Sequence, residues 1–214
     1  MYNLPRGYLS SSACDLWENN PQNFREKYYL GRGGFHSPYT DFGKWFADDI
    51  EKHPDTYPNI PKYAVPEFPM KWVIEGVPTL GYLDSFCPFT KSILEYKTSI
   101  VKGAGSWTPV KVQKWQQLPF YAMTIKEMFG ELNPVIKLVV MNTEWQEVCK
   151  ETKFGTKIIR ECSQRIGFAE GATDNPIIFE RVIADWEIEA MKKRLICIAT
   201  EVSNDYTSYQ QSIA

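Results

Sequence analysis

Three side chains in this sequence are placed as packing alone would not place them. Asp84 ends the apolar run "LGYLD", and Glu95 and Lys97 stand two apart in "SILEYKT". Side chains two apart on a strand point the same way, so Glu95 and Lys97 share a face while Tyr96 turns to the other. If the strand ending at Asp84 pairs beside this one, two carboxylates approach each other, and they repel unless a cation lies between them. A divalent ion with oxygen ligands suits that place. Magnesium takes one or two carboxylates plus waters and phosphate oxygens, and manganese shares its preference for oxygen. Lys97, alongside, would orient or deprotonate a water, or offset negative charge growing on a phosphate. The competing reading is a surface ion pair of little energetic worth.

A second group lies on a helix expected from Thr108-Pro109, a cap followed by proline at the first helical position, to about Phe129, with Gly130 as its stop. Pro119 should kink it. Gln113, Gln117 and Tyr121 recur every four residues and form one line, flanking an apolar stripe of Trp115, Leu118, Ala122, Ile125 and Phe129. Amide and phenol groups there can hydrogen-bond the catalytic carboxylates or a phosphate backbone. Between residues 85 and 126 six lysines (91, 97, 102, 111, 114 and 126) accompany one acid, Glu95. Phosphate affinity follows where lysines lie rather than the sum over the molecule. Lys102, Lys111, Lys114 and Gln113 are the candidate nucleic-acid contacts, a solvated helical face being the alternative.

The elements that must carry these groups read as helix, strands, helix, strand, helix. "SSSACDLWENNPQNFREKYYLG" is a capped first helix interrupted at Asn20-Pro21. "GRGGFHSPYT" is a glycine-rich hinge or turn. A second helix covers about Asp41 to Lys52, with Phe42, Phe46 and Ile50 as its buried line. "HPDTYPNIPKYAVPEFP" reads as irregular. Strands follow at about Lys71–Ile74, Leu80–Asp84 and Ser92–Lys97, with a turn at Glu75-Gly76-Val77-Pro78 between the first two. "NPVIKLVVMNTE" is a further strand and "FGTKIIREC" a candidate one. "NPIIFERVIADWEIEAMKKRLICIATEV" reads as a long closing helix. The order argues for an α/β fold, a sheet with helices packed on it.

The chain has 214 residues, 43% hydrophobic and 23% charged, with a net charge of −2. That fits one ordinary globular domain spanning 1–214 and excludes a disordered chain. No apolar run approaches the ~18–20 residues needed to span a bilayer, and the first residues lack the layout of a secretory signal, so a cytoplasmic location is expected. The five cysteines, Cys14, Cys87, Cys149, Cys162 and Cys197, form no Cys-x-x-Cys. Reduced, mostly buried thiols are expected, and neither a zinc site nor an iron–sulfur cluster.

Gly81-x-Leu83-Asp84, then Glu95-Tyr96-Lys97-Thr98, then Gln117-x-x-x-Tyr121 resembles the PD-(D/E)xK nuclease superfamily, in its RecB-like and phage-exonuclease branch. The opening "YLSSSACDLWENNPQNFREKYYL" is similar to that branch too, so the likeness covers residues 8 to 121. It implies a restriction-endonuclease-like core, a central mixed sheet flanked by helices. It also implies Asp84 and Glu95 as metal ligands with the Tyr96 carbonyl, Lys97 as the catalytic lysine, and Gln117 and Tyr121 as the supporting pair. The branch commonly carries Gly-x-x-x-His on the helix before the sheet; here Gly43 is followed by Ala47, and neither His36 nor His53 takes the place. Glu51, one turn beyond Ala47, is the substitute ligand expected, with Asp48 second.

The activity implied is magnesium- or manganese-dependent hydrolysis of DNA phosphodiester bonds, as an exonuclease of recombination, repair or phage DNA processing. The setting would be a bacterial or phage-infected cell, with DNA as the partner, no membrane, and self-association or a recombination protein as a further partner. The alternative is a non-catalytic DNA-binding or assembly subunit on the same fold.

Overall fold

The computed structural model describes residues 2–32, 37–100, 106–130, 133–154 and 156–213. Residues 33–36 of the glycine-rich stretch, and Lys102, lie outside them. Helices α1 (Ser11–Asn19) and α2 (Pro21–Tyr28) are separated at Asn20, whose side chain caps the second. Ser37 caps α3 (Pro38–Lys52), on which Phe46 and Ile50 are buried and Phe42 half-buried. Three antiparallel strands follow: β1 (Val65–Ile74), β2 (Val77–Cys87) and β3 (Ser92–Ile100). Then come α4 (Pro109–Lys114), α5 (Gln117–Phe129), β4 (Val135–Phe154), β5 (Lys157–Phe168), β6 (Ile177–Val182) and α6 (Asp185–Ile213).

The sheet runs β1-β2-β3-β4-β5, with β6 also on β4. Only β3 and β4 are parallel, joined by the crossover that α4 and α5 make. Alternation along the central strands divides the core. Ile93, Ile136, Leu138 and Val140 face one cluster with α1, α5 and α6. Leu94, Tyr96, Val139 and Met141 face the other, against Phe46 and Ile50 of α3. The expected α/β class, a mixed sheet flanked by helices, is the architecture found, and it is compatible with a restriction-endonuclease-like core.

Four local readings are corrected. The irregular proline-rich stretch ends in β1: Pro66 and Pro69 are tolerated because β1 is an edge strand, where a missing donor need not break a ladder. The single helix from Thr108 is two. The ring of Pro119 excludes a helical carbonyl four residues earlier, and Trp115 is extended (φ −76°, ψ 112°), so the chain breaks there and restarts at Gln117. "IIFERV" is β6 rather than helix, because its β-branched residues pair with β4, and α6 starts only at Asp185. The expectation of five reduced thiols fails at one pair. The β4–β5 register sets Cys149 opposite Cys162 and their sulfurs are bonded. Among the free cysteines only Cys14 is fully buried.

Candidate active site

The β2–β3 ladder runs from Cys87↔Ser92 to Ser85↔Leu94 and stops. Where the next rung would fall, the Asp84 carboxylate enters instead: Tyr96 N–H donates to Asp84 Oδ2 at 2.6 Å. Glu95 sits in the row Ile93–Glu95–Lys97 on the α5 side and is 1% exposed. Lys97 Nζ donates to Glu95 Oε1 at 2.5 Å. Gln117 Nε2 donates to the same oxygen at 3.1 Å and to the Tyr121 hydroxyl, which donates to the Tyr82 carbonyl at 3.1 Å. Glu95 Oε2 is buried with no hydrogen-bond partner. Buried polar atoms are rarely left so, and each instance calls for an explanation such as an ion.

These positions have local causes. The opening turn of α5 places Gln117 and Tyr121 one turn apart over Glu95. Gly81 lies under that turn, where a Cβ would stand 2.9 Å from Met70 Cε of β1 and in ordinary contact, 3.7 Å, with Tyr121 Cε1. On the other face Gly43 lets α3 close on β3; a Cβ there would meet Thr98 Oγ1 at 3.2 Å. Tyr96 packs on that side, its hydroxyl donating to the Pro61 carbonyl at 2.8 Å.

The electrostatics follow from burial. Desolvation, then the neighbouring Asp84, push the Glu95 carboxyl up to about 8, although Lys97 opposes both. Burial raises Asp84 as well, against the pull of Lys97 and the Tyr96 N–H. For Lys97, burial disfavours the charge, but Glu95 and Asp84 outweigh it and the ammonium is held above its usual range. The two acids thus favour the ammonium form of Lys97 over the free amine.

A cleft of about 220 Å³ opens beside Asp84 on the α3 side, and Ala47, Glu51, Tyr63, Glu67 and Tyr96 line it too. Glu51 and Asp84 thus face one space. Asp48 is exposed and paired with Lys52 at 2.7 Å. Glu67 is the acid that sequence reasoning missed. The register pairing Pro66 with Ser85 and Phe68 with Leu83 sets it opposite Asp84. Its φ of 46° lies in the left-handed region, which a non-glycine residue adopts at a cost of about 1–3 kcal/mol. Strand alternation breaks there: Val65 and Phe68 both pack on the α5–α6 core, as do Leu83 and Phe86, each pair three apart. The signal available was a lone acid between two prolines in "VPEFP", a stretch read as irregular.

Of the expected nucleic-acid contacts, the break before α5 takes Gln113 out of line with Gln117 and Tyr121. Its side chain is exposed and its carbonyl accepts from Arg181. Lys111 and Lys114 are exposed on α4, with Lys111 Nζ over the Trp107 ring at 4.4 Å.

No family model matches the chain, and no curated protein does. Among solved structures, a candidate exonuclease from Eubacterium rectale aligns with a TM-score of 0.50 at 12% identity, over 92% of this chain and 83% of that one. The protein SSO0001 aligns with a TM-score of 0.41 at 11% identity, over 90% and 76%. The first likeness bears on the fold: the chain folds as that candidate exonuclease does. No helix among the described residues is long and apolar enough to cross a membrane.

Proposed function

We propose that this protein is a divalent-cation-dependent deoxyribonuclease that hydrolyses phosphodiester bonds, acting as an exonuclease in recombination, repair or phage DNA processing. The observation that carries the reading is the partnerless Oε2 of Glu95, buried beside Asp84 and Lys97. A protein with no chemistry to perform gains nothing from burying two acids and a lysine with an acceptor left over.

The residues fit a cation. Asp84 and Glu95 would hold it, with the Tyr96 carbonyl as the backbone ligand and Glu51 and Glu67 available from the cleft. A magnesium or manganese ion there would supply charge compensation for the phosphate and acidify a water. Lys97, kept charged by the two acids, places a fixed ammonium where negative charge grows on the phosphate. Gln117 holds Glu95 Oε1 in place, and Tyr121 anchors Gln117 to the β2 backbone, so neither carboxylate needs to reorganise when substrate binds. The substrate proposed is DNA, met in the cytoplasm of a bacterial or phage-infected cell.

A time course on end-labelled linear and closed circular DNA tests this, with manganese and with chelator. Loss of linear substrate only, and only with metal, is expected. DNA bound in chelator but never degraded with manganese would favour instead a non-catalytic DNA-binding subunit, to which the Ala47 in place of a histidine also speaks.

A further inference from the structure

Among the described residues, no helix packs on the face of β1 and β2 away from the α5–α6 core beyond the carboxylates. Pro69 pairs with Tyr82, Lys71 with Leu80 and Val73 with Pro78, all on this side, because Met70 and Leu83 take the core side. The row begins next to Asp84 and runs about 13 Å at ordinary strand rise. Arg6 and Tyr8 border it, since Leu9 pairs with Thr79 on the free edge of β2. Together they form an open groove of about 840 Å³. A second groove of about 290 Å³ shares Arg6, Tyr8, Leu80 and Tyr82 with it and reaches Gln117 and Tyr121. The surface is therefore continuous with the candidate active site.

Two features decide what would lie there. The lining of both grooves contains Arg6, Lys27 and Lys71 and no Asp or Glu, in a chain with more acids than bases. None of these three cations has a carboxylate within ion-pair distance among the described residues. Between them the surface is flat and apolar: Tyr82 is 52% exposed, with Pro69, Leu80 and Tyr8 around it. An occupant must offer flat apolar faces and negative charge together, at a position leading to a phosphodiester-cleaving centre. A duplex keeps its base faces stacked inside and would use only the cations. An unpaired strand presents both.

We propose that this face of β1–β2 is a binding track for single-stranded nucleic acid, with bases on Tyr82 and Tyr8 and phosphates on Arg6 and Lys71. The proposal rests on the nuclease reading above for its direction, since the track leads to Asp84, but its test does not depend on cleavage. Fluorescence anisotropy in chelator would compare a labelled oligo-dT of about fifteen nucleotides with a duplex of equal length. The wild type should prefer the single strand. Tyr82→Ala should weaken oligo-dT binding about tenfold, Tyr82→Phe should restore it, and Lys71→Ala should lower the salt slope by about 0.7. Oligo-dT binding by Tyr82→Ala within about twofold of wild type, no binding by wild type, or an equal loss for duplex and single strand overturns the track.

Cleavage is scored separately with manganese. Cleavage without dependence on Tyr82 keeps the nuclease reading and discards the track. Tyr82-dependent binding without cleavage does the reverse.

Discussion

Two ion pairs among the described residues, Arg181–Glu187 and Lys97–Glu95, each have a buried member, and they are finished differently. Arg181 and Glu187, whose side chains are 8% and 12% exposed, satisfy each other and their surroundings. Arg181 Nη1 donates to the Val112 and Gln113 carbonyls at 3.2 and 3.1 Å, and Glu187 Oε2 accepts from the Ala184 N–H at 3.1 Å. The pair locks the end of α4 to the start of α6. Lys97 and Glu95 are as close, but Glu95 keeps an unpartnered oxygen, a second carboxylate lies nearby, and Lys97 opens to the surface. Burial alone does not separate structure from function. Completeness does: no side-chain polar atom of the first pair is buried without a partner, and Glu95 Oε2 of the second is.

The largest test of that contrast is activity. Asp84→Asn or Lys97→Ala should lower DNA cleavage by about a thousandfold or more while circular dichroism shows a folded protein. Arg181→Met should do the converse, lowering urea stability by about 3–5 kcal/mol because Glu187 and two carbonyls lose their partner, with cleavage per folded molecule retained.

Glu95→Gln sharpens the comparison through pH. A carboxyl whose folded pKa lies above its unfolded one binds more protons when folded, so stability falls as pH rises between the two values. For Glu95 that window runs from 4.5 to about 8. Asp84 shifts the same way. Lys97, raised in the folded state, is protonated throughout the window and leaves the slope unchanged. Melting of the cation-free wild type should therefore drop from pH 5 to pH 8, and Glu95→Gln should flatten the drop. The smallest effect is expected at the support: Gln117→Ala should lower kcat about tenfold with little change in KM, since Gln117 donates to Glu95 Oε1 and so positions it.

Much of this site was legible because it is local. Glu95 and Lys97 share a face by strand period, and Gln117 and Tyr121 meet by helical period, so short windows place each pair. What joins the pairs is not local. That Asp84 enters the gap where the β2–β3 ladder ends depends on register, and that Glu67 stands opposite Asp84 depends on a kink inside a stretch whose prolines hid a strand. The helix around Pro119 failed for a related reason: the proline acts one turn upstream of itself, so the break falls at Trp115 and Gln113 leaves the line. Cys149 and Cys162 are thirteen apart in sequence, and only the hairpin register makes them neighbours.

The central claim is that the unfinished pair is completed by a divalent cation, and calorimetric titration with manganese addresses it directly. Since burial and the neighbouring Asp84 raise the proton affinity of Glu95, binding should release protons, making the measured heat depend on the buffer at pH 7. Wild type should bind with that buffer dependence, and Asp84→Ala and Glu95→Gln should each lose it. Manganese bound equally by wild type and both variants, or not bound by wild type, would contradict the account.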